Sequence, residues 1–345
     1  MPATFTVLNG LDGGAGSLRA AIAAANDETT NPGPDVINFD PAGTAVALTT
    51  GQLTINSDIT ITGPATGVRI ARDAAAPGFR IFSVNAGKTA ALSGLTITGG
   101  YAGEGGGLHN NGTLTMTNCT VSDNTATIGG CLFSRGTLTM TNCTLNGNSV
   151  NFIGGGLFLG GTTTLNNTTI GGNRATGSNG IGGGVWIVGL ITMTNCTVSG
   201  NYAGGEYGGL SWAGGNGRIT LGNTIVAGNS GRHIHDVSGS VASLGNNLIG
   251  KTDGSSGWVA SDLTGTAAAP LDAMLAPWAT TAGRRRRCPR CPAARPSTRA
   301  TTPSSPTASP PTSAGSSASS SAPSISAPPR CSTRRRPCRP TSRST

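Results

Sequence analysis

From residue 97 onward the apolar positions return in a fixed order. The segment TLTMTNCTVSDN (113–124) reappears as TLTMTNCTLNGN (137–148), TTLNNTTIGGN (163–173), ITMTNCTVSGN (191–201) and ITLGNTIVAGN (219–229). Val121 and its equivalents Leu145, Ile170, Val198 and Val226 are spaced by 24, 25, 28 and 28 residues, and Ile97 adds an earlier step of 24. A period of this size is the mark of a solenoid, in which each unit buries its apolar face only against its neighbours. Each unit also carries a glycine-led apolar segment: GGGLHN (105–110), GGCLFS (129–134), GGGLFL (154–159), GGGVWI (182–187) and GGLSWA (208–213).

Within a unit the alternation is that of a strand, but its parity changes once. Leu114 and Met116 share one face, as do Cys119 and Val121, and the step between the pairs is odd, so the chain turns a corner at Asn118. Asparagine recurs there at 142, 167, 195 and 223; it tolerates left-handed backbone angles and bonds neighbouring backbone through its amide. Three short strands, two corners and one variable loop per unit predict one coil of a parallel β-helix. Inward positions then stack on their equivalents about 4.8 Å away. The predicted columns are Leu114, Leu138, Thr163, Ile191, Ile219; Met116, Met140, Leu165, Met193, Leu221; Cys119, Cys143, Thr168, Cys196, Thr224; and the Val121 column, with Thr163 alone out of character. GSLRAAIAAAN (16–26) predicts a helix with Ser17 as N-cap and Leu18, Ile22 and Ala25 on one side, placed to close the first coil.

The expected fold is all-β: a single-stranded right-handed parallel β-helix (a solenoid) with a short N-terminal capping helix and a disordered C-terminal tail. Its expected divisions are 1–40 (first strand and capping helix), 41–277 (β-helix) and 278–345 (tail). No run of about 18 apolar residues exists, so no transmembrane helix is expected; no secretory leader precedes TFTVLNG.

Charge divides the chain in the same way. Residues 284–345 hold 13 Arg and no Lys, Asp or Glu, so against a net charge of +9 the body carries −4. The basic average is thus a property of the tail, and the body gives no reason to expect a nucleic-acid partner.

TFTVLNGLDGGAGSLRAAIAAAN, DVINF, LTINSDITITGP, LSGLTITGG, the GGGL–TLTMTNCTVSDN coils and NTIVAGN…GNNLIGKTDGSSGWVASDLTGT together resemble bacterial right-handed parallel β-helix surface proteins. These carry CSLREA-type N-terminal segments and choice-of-anchor Q-like C-terminal regions, and are similar in style to polymorphic outer membrane protein repeats. The resemblance spans residues 3 to about 277. It departs where Gly16 precedes SLRAAI and where Ala20 replaces an acid. It implies export and display at or beyond the cell envelope, with no defined activity.

No catalytic residue is expected. Glycoside hydrolysis needs two carboxyls roughly 5–9.5 Å apart, and residues 97–229 offer Glu104, Asp123 and Glu206. Glu104 and Glu206 hold equivalent positions four coils apart, about 19 Å at about 4.8 Å per coil, and Asp123 reads as a turn residue. The metal candidate is RHIHDV (232–237), with His233, His235 and Asp236, although zinc would need a third well-placed ligand and His109 lies coils away. Cys119, Cys143 and Cys196 share a column with Thr168 and Thr224, which predicts buried free thiols. Asn118, Asn142, Asn166, Asn167 and Asn195 stand in sequons that follow from the corner asparagine; Asn111 is a loop sequon. Trp186, Tyr202, Tyr207 and Trp212 could form a sugar-stacking patch, or lie half-covered under the loops.

The expected function is therefore that of an exported or cell-surface structural and adhesive protein. It is expected to be a monomer without cofactor that meets extracellular glycans or host or neighbouring-cell surfaces. The rival class is a polysaccharide-active β-helix enzyme, either a pectate-lyase-like lyase or a glycoside hydrolase. The tail enters neither. In the resembling family the stretch after LAP reads in the manner of LGDYGGPTQTMPALPGSPAIDAG, and shifting that by one base gives WATTAGRRRRC and CPRCPAARPSTRA, the residues found at 278–288 and 288–300. SAPSISAP (321–328) is likewise VGAVDIGA in the shifted frame. A frameshift at Pro277/Trp278 is expected. Translating the gene in the neighbouring frame should restore an acidic, glycine-containing ending; stop codons there would refute the shift.

Overall fold

The computed structural model describes residues 2–41, 45–214, 218–232 and 236–275. The tail and the expected frame junction lie outside the described residues. The described chain is a parallel β-solenoid of about eight turns. Its first sheet has eleven strands, from Thr4–Val7 and Asp35–Phe39 through Thr113–Thr117 to Ser255–Ser256; the second has ten, from Val46–Leu48 through Thr120–Ser122 to Leu263–Thr264. A third of seven strands runs from Leu53–Ile55 through Leu108–Asn110 to Leu210–Trp212. Thr4–Val7 pairs with Asp35–Phe39, so the first sheet already begins inside the segment that also contains the cap.

A fourth sheet replaces much of the expected variable loop. Tyr101–Glu104, Thr125–Ile128, Ser149–Ile153, Arg174–Ala175 and Tyr202–Ala203 pair in parallel over five coils. Ala126, Val150, Ala175 and Ala203 form a small buried cluster of their own behind it. Only one residue in two is apolar there, and the apolar one is usually alanine, so the strand signal is faint in sequence.

The predicted columns are the core. Leu114, Met116, Val121 and their equivalents are buried, and the ladders pair Leu114 with Leu138, Met116 with Met140 and Val121 with Leu145. Thr163 is buried in the Leu114 column with its hydroxyl unpartnered. Asn118, Asn142, Asn167, Asn195 and Asn223 have φ between 45° and 55°, so the corner is a left-handed residue in every coil. The second corner has the same requirement, met by Asp123 at 56° and by Gly147, Gly172, Gly200 and Gly228 at 66° to 70°.

The Cys119 column alternates Cys and Thr for a reason that geometry supplies. Each of these side chains donates to the carbonyl two residues earlier: Cys119 to Thr117 O (3.4 Å), Cys143 to Thr141 O (3.3 Å), Thr168 to Asn166 O (3.0 Å), Cys196 to Thr194 O (3.2 Å) and Thr224 to Gly222 O (2.9 Å). A small donor is required, and thiol or hydroxyl serves. Cys119, Cys131, Cys143 and Cys196 are buried and free, and burial pushes the Cys131 and Cys196 thiols up.

Just past the second corner runs a buried ladder of carboxamides. Asn124, Asn148, Asn173, Asn201 and Asn229 are at most 1% exposed. From Asn148 onward, Oδ1 of each accepts from the backbone N–H and the Nδ2 of the asparagine one coil earlier, at 2.9–3.1 Å. Each Nδ2 also donates to a core carbonyl, as Asn124 does to Ile97 O at 3.1 Å. At the N-terminal end Gly100 N–H donates to Asn124 Oδ1. At the other end the last acceptor is a carboxylate: Asp236 Oδ1 takes both bonds from Asn229, each 2.9 Å. The Cys119 column closes alike, since Thr224 N–H donates to Asn247 Oδ1 and Asn247 donates twice to Asp262 Oδ1 at 3.0 Å. A ladder needs an amide wherever it both gives and receives, and only an acceptor where it stops.

The N-terminal cap matches expectation. The helix is Leu18–Ala25, Ser17 Oγ accepts from Ala20 N–H at 3.1 Å, and Leu18, Ala21, Ile22 and Ala25 are buried. Arg19 fixes it to the first coil by donating to Gln52 O, Gly51 O and Asp12. Burial alone would raise the Asp12 carboxyl, but hydrogen bonds from Arg19, Thr49 and Thr50 hold it at about 2.

At the ladder's end, Lys251 Nζ lies 3.8 Å from Asp236 Oδ2 and donates to Asn229 O at 2.9 Å. Removing one partner of a buried pair strands the other charge. Lys251→Met is therefore expected to destabilise the fold by about 3 kcal/mol. Adding Asp236→Asn, which removes the stranded charge and keeps an acceptor for Asn229 but leaves an amide N–H to be satisfied, should recover part of that loss. Denaturant midpoints of the two variants decide it: coincident midpoints would remove the ion pair from this role.

Candidate functional site

Asp236, the described member of the metal candidate, faces inward and is committed to Asn229 and Lys251. Burial raises its carboxyl against the pull of Lys251 and Asn229. His233 and His235 lie outside the described residues. No group of three metal-ligating side chains occurs among the described residues. Along an exposed corner ladder Asn142 donates to Asn118 and Asn167 to Asn142, as Asn223 does to Asn195, so these sequon amides serve the corner.

Trp186, Tyr202, Tyr207 and Trp212 are each half-buried, the second of the two expectations for them. Trp212 pairs with Ile187 and packs on the core. Tyr202 lies in the fourth sheet under the Arg174 guanidinium, 4.5 Å from its ring centroid. Tyr207 is a left-handed turn residue at φ 59°. Trp186 belongs instead to an outward column of the third sheet: Ser83, His109, Phe133, Phe158, Trp186, Ser211. That column was legible as the residue after the apolar one in GGGLHN, GGCLFS, GGGLFL and GGGVWI. His109 stacks on Phe133 at 5.2 Å and Phe133 on Phe158 at 4.5 Å. Because these rings cover one another's faces, Phe133 is 1% exposed and offers no platform for a sugar.

Around the head of this stack three successive coils bring charged groups together. Glu104 Oε2 is 3.5 Å from His109 Nε2, Glu104 Oε1 is 3.7 Å from Arg135, and Arg135 lies over Phe133 at 4.9 Å. Arg80 is close enough to act on both Glu104 and His109. Glu104 and Glu206 stand in one column, through Ile128, Ile153 and Ile181, four coils apart. The distance that excludes a carboxyl pair is thus kept, and Glu104 has basic neighbours in place of a second acid.

The largest regular surface is the outward face of the first sheet. Over the strands Thr113–Thr117, Thr137–Thr141, Thr162–Asn166, Leu190–Thr194 and Arg218–Gly222 it presents three columns. The central one is Thr115, Thr139, Thr164, Thr192, Thr220; the flanking ones are Thr113, Thr137, Thr162, Leu190, Arg218 and Thr117, Thr141, Asn166, Thr194, Gly222. Eleven of these fifteen positions are threonine, and the first four strands carry no charge. The pairing runs in register from strand to strand with no bulge. Among the grooves elsewhere, one of about 370 Å³ lies where Asp272, Ala273 and Leu275 approach Thr169, Thr197 and Ser199 on the second sheet, and one of about 430 Å³ lies between Thr62–Gly67 and Ser93–Thr96.

No protein-family model and no curated protein matches the chain. Among solved structures, the crystal structure of pectate lyase Pel9A is similar at a TM-score of 0.39 and 16% identity, over 75% of this chain and 79% of that one.

Burial, reinforced by Arg80 and Arg135 and opposed by Glu104, holds His109 below its ordinary value of 6.5. The unfolded chain therefore takes up that proton first. Stability is full above 6.5 and is lost as the pH falls from there toward the folded pKa. His109→Phe, which extends the Phe133–Phe158 stack, should melt with less loss between about pH 7 and about pH 5 than the unaltered protein. Parallel losses in both would place the proton uptake elsewhere.

Proposed function

We propose that this protein is an exported or cell-surface structural and adhesive solenoid, whose contact surface is the outward face of its first sheet. One observation carries the reading. The inward and corner side chains are spent on holding coil to coil, whereas the threonine face, unbroken in its central column from Thr115 to Thr220, is regular and turned to solvent. A solenoid presents such a face as an extended binding surface rather than a cleft. The resemblance to surface proteins supports export, and the Arg-rich tail, read as a shifted frame, adds no nucleic-acid function.

The Glu104–His109–Arg80–Arg135 cluster favours a second reading, a polysaccharide-active enzyme. A carboxylate beside an imidazole and two guanidiniums is chemistry that an acidic sugar would meet. Its weakness is that Glu104 has no second carboxyl beside it among the described residues, only His109 at 3.5 Å and Arg135 at 3.7 Å.

The two readings separate in one experiment. Incubation with acidic and neutral polysaccharides, with and without calcium, should yield no new reducing or unsaturated ends. Beads coated with the protein should be retained on glycan or cell surfaces, and coating with Thr139→Lys should abolish retention. New ends that disappear with Glu104→Gln and Arg80→Ala would establish the enzyme instead.

A further inference from the structure

We propose that the threonine face of the first sheet binds ice. The inference deepens the adhesive reading and rests on it, since it names what that face adheres to. Its lattice is set by backbone geometry: equivalent threonines repeat at about 4.8 Å from coil to coil and at about 6.6 Å along a strand. The registers that fix those repeats are unbroken from Thr113–Thr117 to Arg218–Gly222.

Strand propensity alone does not account for this surface. Valine, isoleucine and tyrosine suit a strand as well as threonine does, and the outward column of the third sheet carries Ser83, His109, Phe133, Phe158, Trp186 and Ser211. Threonine is concentrated on the first sheet and continues around the corner as Thr96, Thr120, Thr144, Thr169 and Thr197 of the second. What distinguishes it is a methyl and a hydroxyl held side by side on a Cβ whose rotation is restricted. The hydroxyl bonds water, and the methyl restricts how the adjoining water can turn.

A second feature keeps the array regular. Twisted sheets are the norm, and flat ones depend on stacking or side-chain ladders. Here both margins of the face are clamped. On one side the corner asparagines bond coil to coil in two runs, Asn118–Asn142–Asn167 and Asn195–Asn223. On the other, Gly112, Gly136, Gly161 and Gly189 are stacked so closely that a Cβ on any of the last three would strike the backbone of the coil before.

Other occupants fit less well. The face has no ring for a sugar to stack on and no charge over four coils to hold an ionic ligand. It also lacks the Trp, Tyr and Arg anchors that dominate protein interfaces until Arg218 at its far end. A charge-free lattice of paired hydroxyls and methyls suits a partner that is itself a hydrogen-bonded lattice. Fixing a single water costs about 0–2 kcal/mol, and waters fixed in register on one face share that ordering with a growing crystal.

The full-length protein is tested by growing ice slowly from a fluorescently labelled solution and by following growth of single crystals under controlled supercooling. Adsorption to the ice, faceting of the crystals and arrest of growth are expected. Thr139→Lys with Thr164→Lys should abolish all three, while Thr125→Lys, on the outward side of the fourth sheet, should leave them unchanged. Circular dichroism and melting curves identify any variant that fails to fold, and Thr139→Val with Thr164→Val, which keeps shape and strand propensity, then serves in its place with reduced arrest expected. Exclusion of the unaltered protein from ice overturns the proposal, as does full activity in the folded lysine variant. If ice is not bound but coated beads still adhere through Thr139, the adhesive reading survives without this ligand. If neither occurs, both fall.

Discussion

A peptide N–H that leaves a sheet at a corner must still find an acceptor, and in this solenoid it finds the carboxamide of the next coil. At Asn148, Asn173, Asn201 and Asn229 one oxygen receives both the backbone N–H and the side-chain amide of the coil before. An unmade bond at such a buried site costs about 1–3 kcal/mol, so each coil depends on a neighbour of matching corner chemistry. The aspartates at the ladder ends follow from the same accounting. Asp236 and Asp262 receive but need not pass a bond on, and a carboxylate does this where an amide would leave its own N–H groups to be satisfied.

The two ends of the described solenoid solve their problem differently. At the start, apolar residues of one helix cover the first coils, and Arg19 fastens that helix through backbone carbonyls of the next turn. Toward the other end, polar ladders terminate on charge. Asp236 carries a buried lysine with it, whereas Asp262 is held by hydrogen bonds from Ser243, Val259 and Asn247 that lower its carboxyl despite burial. The first arrangement requires a counter-ion and the second does not, because the second carboxylate is less deeply enclosed.

Much of this was legible in the residues, and the parts that were not share a cause. Columns such as Leu114, Leu138 and Met116, Met140 announce themselves because burial demands apolar character at a fixed step. The left-handed corner at Asn118 was legible because parity changes there. The buried Asn124 ladder was not read, although the asparagine ending TVSDN, TLNGN, TIGGN, TVSGN and IVAGN is as regular as any apolar column. An amide at a strand end is the ordinary sign of a solvated turn, and nothing local distinguishes a buried one. The fourth sheet escaped because its inward residues are small; of the two readings of Trp186, Tyr202, Tyr207 and Trp212 the half-covered one holds, although aromatic character alone does not reveal which face of a coil a residue occupies. The Glu104–His109–Arg135 cluster joins residues about one coil apart, which only the register brings together.

Regularity outside follows from regularity inside. The outward threonines touch none of the ladder residues, yet their spacing is the spacing of the coils, which Asn124 and its successors hold from within and the corner asparagines hold at the rim. Units lengthen from 24 to 28 residues at two different places: between Ile170 and Val185, on the far side of the fourth sheet, and between Leu210 and Ile219, beside the first sheet. The first kind of insertion leaves the threonine columns untouched, and the second falls only at their last strand, Arg218–Gly222. The same division explains why the body carries so little charge: a lattice of equivalent positions would set like charges about 4.8 Å apart in every column, and threonine avoids that repulsion while keeping the strand.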